Sequence, residues 1–175
     1  MMNLAHVGIV MGSDSDLPIM ARAAAMLDRF QIPYEVRILS AHRSPDAALD
    51  YARNAAGRGL KVIIAGAGGA AHLAGVLAAV TTLPVIGVPI RTAALGGVDS
   101  LYAMVQMPRG IPVATVAIDG ATNAAILAAQ ILAVHNDALQ ERLAAYKQEL
   151  AQEVAVKDAR LAQLGIEGYL GEEKK

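Results

Sequence analysis

Three short segments of this 175-residue chain gather the residue types that bind phosphate, hold a sugar and carry a proton. The first, Gly12-Ser13-Asp14-Ser15-Asp16, precedes a helix with Pro18 in its first turn. Serine hydroxyls and free helix N–H groups can receive a phosphate, and an aspartate carboxylate can accept hydrogen bonds from a pair of ribose hydroxyls. Ser13, Ser15 and Asp16 are therefore candidates for a sugar-phosphate grip, although the same residues could do no more than cap the helix. The second segment is Ser40-Ala41-His42-Arg43. Arg43 can fork onto phosphate or carboxylate oxygens, and His42 can exchange a proton near neutrality, because an unperturbed imidazole titrates at about 6.5. The third, Ala65-Gly66-Ala67-Gly68-Gly69-Ala70-Ala71-His72, lets backbone N–H groups approach a ligand without Cβ interference. His72 could hydrogen-bond a ligand or buttress its own loop.

The elements that must position these segments can be read from apolar runs. Strands are expected over residues 7–11, 34–39, 62–66, 85–88 and 113–118, each a compact apolar run of the kind buried on both faces. Helices are expected over 18–30, 45–56, 71–80, 98–106 and 122–134. The second of these carries strong boundary signals, with Ser44 as N-cap, Pro45 at the first helical position, Asp46 in the first turn, and Gly57 and Gly59 closing the end. Alternation of β and α implies a parallel sheet covered on both sides by right-handed crossovers, hence an α/β, three-layer, doubly wound (flavodoxin-like) sandwich. In such a sheet ligands bind outside the carboxyl ends of the strands, where the strand order reverses, and all three segments follow strands.

After Asn136 the character changes. Leu139, Leu143, Tyr146, Leu150 and Val154 recur at spacings of 3 and 4 on a charged background, which predicts an extra C-terminal amphipathic helix over about 137–164, followed by a frayed tail over 165–175. Residues 1–136 hold 17 charged residues and residues 137–175 hold 14, so the body is too apolar for the surface of a monomer. Burial of part of that surface against copies of the chain is expected, although a substrate pocket or a membrane would also explain the deficit. One domain is expected, since the chain is long enough for one good core and too short for two.

Several classes are excluded by inventory. No cysteine is present, so no thiolate site or disulfide exists and a reducing cytoplasm is the natural setting. Net charge is −1 and the sequence pI about 6.4, which leaves no basic field for nucleic acid. Residues 62–90 carry no Asp, Glu, Lys or Arg and exceed the roughly 20 apolar residues of a membrane span. Gly66, Gly68, Gly69, Gly75, Pro84 and Pro89 break that run into strand, loop, helix and strand, so no membrane partner is expected. Gly66, Gly68 and Ala71 satisfy G-x-G-x-x-A, but the acid required about 20 residues later for a dinucleotide ribose is absent. The four histidines, His6, His42, His72 and His135, form no H-x-x-x-H pair, and no metal site is expected. His6 and His135 read as structural or solvent-facing.

The segments MGSDSD, SAHRSPD, AGAGGAAHLAG, LPVIGVP and DSLYAMVQMPRGIPV occur in this order, and together they resemble the class I PurE family of N5-carboxyaminoimidazole ribonucleotide mutases over about residues 5–160. The resemblance implies an isomerase of bacterial purine synthesis that uses no metal or organic cofactor. It implies a cytoplasmic homo-octamer in which the C-terminal helix embraces a neighbour. By position it assigns His42 as the catalytic proton carrier and places Ser13, Asp16 and Arg43 on the ribonucleotide, with Ser15 and Ser40 as additional phosphate contacts. Gly68, Gly69, Ala70 and Ala71 would wall the imidazole and carboxylate, with His72 beside them. Ala74, Asp14 and the short turn over 119–123 depart from the family pattern, and the turn is expected to alter the pocket wall. A non-catalytic phosphoribosyl-binding module, or a carboxylase acting on another nucleotide, are the competing readings.

Overall fold

The computed structural model describes residues 4–172. Five strands, β1 (Val7–Met11), β2 (Tyr34–Ile38), β3 (Val62–Gly68), β4 (Val85–Ile90) and β5 (Ala114–Thr115), form one parallel sheet in the order β2-β1-β3-β4-β5. Helices α1 (Leu17–Arg29), α2 (Pro45–Ala55), α3 (Leu73–Ala78), α4 (Val98–Val105) and α5 (Ala121–Ala133) connect them, and α6 (Asp137–Glu172) follows. This is the doubly wound, flavodoxin-like order, in which the chain reverses direction across the sheet between β1 and β3.

The pleat divides the core into two layers, because alternate residues of a strand face opposite sides. Val7, Ile9 and Met11 of β1, Val62 and Ile64 of β3, and Ile86 and Val88 of β4 face α1 and α5. Val10, Ile63, Ala65 and Val85 face the other way, against Ala48, Tyr51 and Ala52 of α2, Leu73 and Leu77 of α3, and Met104 of α4. Alanine lets α5 lie close on the sheet: Ala121, Ala124, Ala125, Ala128 and Ala129 are all fully buried. The alanines of α5 thus let the helix approach closely a layer already filled by large side chains such as Ile9, Met20, Leu27, Phe30 and Ile64.

Several boundaries differ from the sequence-based expectation, and each difference has a local cause. Strand β3 runs on through Gly68, and β4 through Ile90, because Ala67 and Gly68 pair in register with Pro89 and Ile90. Helix α3 begins at Leu73 rather than 71, since Ala71 has φ +46°, outside the helical region. The fifth strand, expected over 113–118, is reduced to Ala114–Thr115 paired with Ile86 and Gly87. Its neighbour offers Pro89, which has no N–H to donate, and the ladder stops short of it. Ser44 does not cap α2 with its side chain; its hydroxyl turns back to accept from the Ser40 N–H and donate to the Ser40 carbonyl, both at 3.1 Å. The segment after residue 164 is not frayed throughout, as Gly165 (φ 65°, ψ 176°) interrupts α6 and the helix resumes to Glu172, while residues 173–175 of that expected tail lie outside the described residues.

The first turns of α6 dock on the body. Leu139 and Leu143 are buried, Tyr146 meets Phe30 edge-on with centroids 5.6 Å apart, and Arg29 stacks on the Tyr146 ring while pairing with Glu149. Beyond that point the apolar stripe leaves the domain, and Leu150, Val154 and Leu161 are exposed.

Candidate active site

The loops after β1, β2, β3 and β4 enclose a cavity of about 340 Å³ at the carboxyl edge of the sheet. The volume lies within the range of roughly 300–1,000 Å³ typical of small-molecule sites. Ser13, Ser15 and Asp16 line it from the first loop, Ser40, His42 and Arg43 from the second, and Gly68, Ala71 and His72 from the third. Gly69 and Ala70, expected in the wall, do not line it within this chain.

The first loop is shaped by its own side chains. Ser13 caps a single 3-10 turn over Asp14–Asp16, accepting from the Ser15 N–H at 3.3 Å and donating to Asp14 Oδ1 at 3.1 Å. Asp16 is 8% exposed, and this burial raises its pKa from the ordinary 3.8, tempered by a hydrogen bond from the Ser15 hydroxyl. Ser13 caps the short turn rather than α1, whose N-cap Asp16 makes no side-chain cap bond, and both serines also line the cavity, so capping and binding are compatible.

Arg43 ties the second loop to the first. Its guanidinium donates to the Gly12 carbonyl at 2.9 Å, and its backbone N–H donates to Ser40 Oγ at 3.1 Å. Ser40 is in turn held by Ser44, so the hydroxyl that failed to cap α2 instead fixes the turn that presents His42 and Arg43.

The third loop brings a second imidazole to the first. His42 Nε2 lies 2.8 Å from His72 Nδ1, with the rings nearly perpendicular at 84°. One nitrogen donates and the other accepts, so the two rings share a proton and fix each other's orientation. His72 directly precedes α3 and reaches this position through a tight turn in which Gly69 has φ +67° and Ala71 φ +46°. A non-glycine residue in the left-handed region costs on the order of 1–3 kcal/mol, which the surrounding bonds must offset. The Gly69 N–H donates to Ser100 Oγ at 2.9 Å and the Ala71 N–H to the Gly68 carbonyl at 3.3 Å.

A fourth wall escapes the sequence reading. Ile90, Arg91 and Thr92, at the end of β4, also line the cavity. Arg91 is held by Asp119, which accepts from its backbone N–H at 2.9 Å and its Nε at 3.3 Å, and Thr92 donates to the Asp99 carboxylate at 2.9 Å. Asp119 belongs to the short turn that was expected to alter the pocket wall. The signal that could have found Arg91 is its place just beyond an apolar strand, the same rule that singled out the other three loops. The lining therefore has two guanidiniums, two imidazoles and one carboxylate, with Ala41, Ala67, Ala71, Leu73 and Ile90 as its apolar part. That composition favours a small anionic ligand that also offers groups for hydrogen bonding to a carboxylate. Among the described residues no three His, Cys, Asp or Glu gather as a metal ion would need.

Residues 6–153 match the AIR carboxylase family. The chain belongs to that family. It is 57% identical over 166 residues to an N5-carboxyaminoimidazole ribonucleotide mutase of Pyrococcus horikoshii, covering 95% of this chain and 94% of that protein. It is 58% identical over 169 residues to the protein of the same name from a Synechocystis species, covering 97% and 96%. Among solved structures it is similar to Treponema denticola PurE, with a TM-score of 0.81 and 30% identity over 89% of this chain and 97% of that one. AIR carboxylase family membership covers all four loops of the cavity and α6 as far as Glu153.

Proposed function

We propose that this chain is an N5-carboxyaminoimidazole ribonucleotide mutase of purine biosynthesis, an isomerase that moves a carboxyl group from the exocyclic N5 of its substrate to ring carbon C4. The observation that carries this reading is the His42–His72 pair at the rim of a cavity that it shares with the serine-aspartate loop and Arg43. The names and the high identity of the relatives support it.

In this reading Ser13, Ser15, Ser40 and Arg43 hold the phosphate, and Asp16 accepts from the ribose hydroxyls. The imidazole ring and the carboxyl group lie against the turn from Gly68 to Ala71. Cleavage of the N5–carboxyl bond releases carbon dioxide and leaves its electron pair on nitrogen, which takes a proton from His42. The C4 carbon then attacks carbon dioxide, and His42 removes the C4 proton so that the ring regains aromaticity. The proton given in the first step is recovered in the second, so atoms and charge balance over the cycle. Because His42 Nε2 faces His72, Nδ1 is the nitrogen left to exchange the proton. The apolar patch retains carbon dioxide between the two steps.

The protein works as one catalytic domain in the cytoplasm, with the helix over about 137–164 engaging other copies in a homo-octamer. Among the described residues no helix is long and apolar enough to cross a membrane. The test is conversion of the N5-carboxylated ribonucleotide to its C4-carboxylated isomer with no ATP, metal or bicarbonate added. Turnover is expected; binding of the ribonucleotide without turnover would favour a non-catalytic binding module and overturn the reading.

A further inference from the structure

Ser100, in the first turn of α4, is fully buried and does not line the cavity, yet its hydroxyl joins two of the cavity's loops. Ser100 Oγ donates to the Ile90 carbonyl at 2.8 Å and accepts from the Gly69 N–H at 2.9 Å. The direction of both bonds is fixed, since a carbonyl can only accept and an amide N–H can only donate. One side chain therefore clamps the last residue of β4 to the first residue of the turn that follows β3.

That turn is short and strained. Gly69 and Ala71 both have positive φ, and His72 follows at once, its Nδ1 2.8 Å from His42 Nε2. The Ala71 N–H makes only a long bond, 3.3 Å, to the Gly68 carbonyl, so the short bond from Gly69 to Ser100 is the firmer anchor of the backbone that carries the imidazole. The residue before Ser100 reinforces the same connection, since Asp99 accepts from the Thr92 hydroxyl and ties the start of α4 to the loop bearing Arg91.

We propose that Ser100 is a positioning residue for the mutase reaction: through the Gly69–His72 turn it sets the approach of His72 to His42, and so the geometry of proton exchange. This rests on the reading of His42 as the proton carrier. A displacement of about 1 Å in such a pair is enough to cost about 100-fold in rate, and loss of the clamp leaves the buried Ile90 carbonyl and the half-buried Gly69 N–H free to relax by that much.

The experiment uses full-length Ser100→Ala, with kcat and KM expressed per folded enzyme and with the imidazole carbon-proton NMR resonances recorded without substrate. The expected result is a fall in kcat of about ten-fold or more, KM within about three-fold of wild type because the phosphate and ribose contacts are untouched, and displaced His42 and His72 resonances beside unmoved His6 and His135. Wild-type kcat together with unmoved His42 and His72 resonances would overturn the proposal. If Ser100→Ala does not fold, Ser100→Cys keeps a weaker donor and acceptor at the same place and is read by the same two measurements. Absence of mutase turnover in the wild-type protein would strike the functional reading instead, while the resonances would still report whether Ser100 positions the pair.

Discussion

Asp16 is the one carboxylate in a cavity otherwise furnished with imidazoles and guanidiniums, and its burial gives the folded state a pH dependence. Burial raises the folded-state pKa above 3.8, so the charged form is disfavoured on folding. The sign follows directly: the unfolded chain gives up this proton first, and Asp16 costs stability increasingly as pH rises from about 4 through the folded-state value. Asp16→Asn is therefore expected to raise Tm at pH 7, with the gain vanishing toward pH 3, as thermal unfolding across that range will measure. The same substitution removes a charged acceptor for the ribose hydroxyls and should raise KM by about ten-fold or more. A residue kept at a cost to stability and repaid in binding is what a site predicts; a Tm that falls at pH 7 would assign Asp16 to structure alone. At this scale the candidate residues were largely legible, because Ser13, Ser15, Asp16, Ser40, His42 and Arg43 stand in short polar loops between apolar runs. The contact between His42 and His72 was not, since 30 residues separate them and only the pairing of β1 with both β2 and β3 brings their loops together.

Among the elements, the ends of β3 and β4 decide the shape of the site. Glycine and proline look like strand breakers in the sequence, yet Gly68 and Pro89 lie inside paired strands. Reading them as breaks shortened both strands by two residues and hid Arg91, which stands where β4 actually stops. The helices facing the sheet were more legible because their apolar residues recur at helical spacing, whereas the fifth strand was overextended because an apolar run says nothing of whether its neighbour can donate hydrogen bonds. The wall formed by Arg91 depends on a backbone crossing at Gly97, which has φ +94° and where a Cβ would lie 2.7 Å from Ile118 Cγ2 and 3.1 Å from the Arg91 Cα. Gly97→Ala is expected to destabilise the fold by about 1–3 kcal/mol in urea denaturation. It should also raise KM by displacing Arg91. Unchanged KM in the folded variant would remove Arg91 from substrate binding.

For the whole molecule, the uneven charge of the sequence has a physical counterpart in α6, whose stripe is buried at Leu139 and Leu143 but exposed at Leu150 and Val154. A helix that leaves its own domain with apolar residues uncovered needs another surface to cover them. In the octamer proposed above, a neighbouring subunit supplies it. Replacing both Leu150 and Val154 with Lys should reduce the assembly from eight 18.1 kDa chains to smaller species in light scattering. Far-UV circular dichroism should not change, since neither residue belongs to the buried core. A wild-type chain that scatters as a monomer at micromolar concentration would contradict the assembly. The doubly wound architecture was legible from the alternation of strands and helices, but the strand order, and with it the meeting of the loops, came only from the fold.

The central claim is that one cavity both releases and recaptures the carboxyl carbon, with His42 carrying the proton between the two steps. It is tested most directly by single turnover of a substrate labelled with carbon-13 in its N5 carboxyl group, in buffer containing unlabelled bicarbonate, for the wild-type protein and His42→Asn. The account predicts that wild type delivers the label to C4, while His42→Asn binds the substrate yet forms product at least about 1,000-fold more slowly. Product carrying unlabelled carbon, or His42→Asn turning over at the wild-type rate, would contradict it.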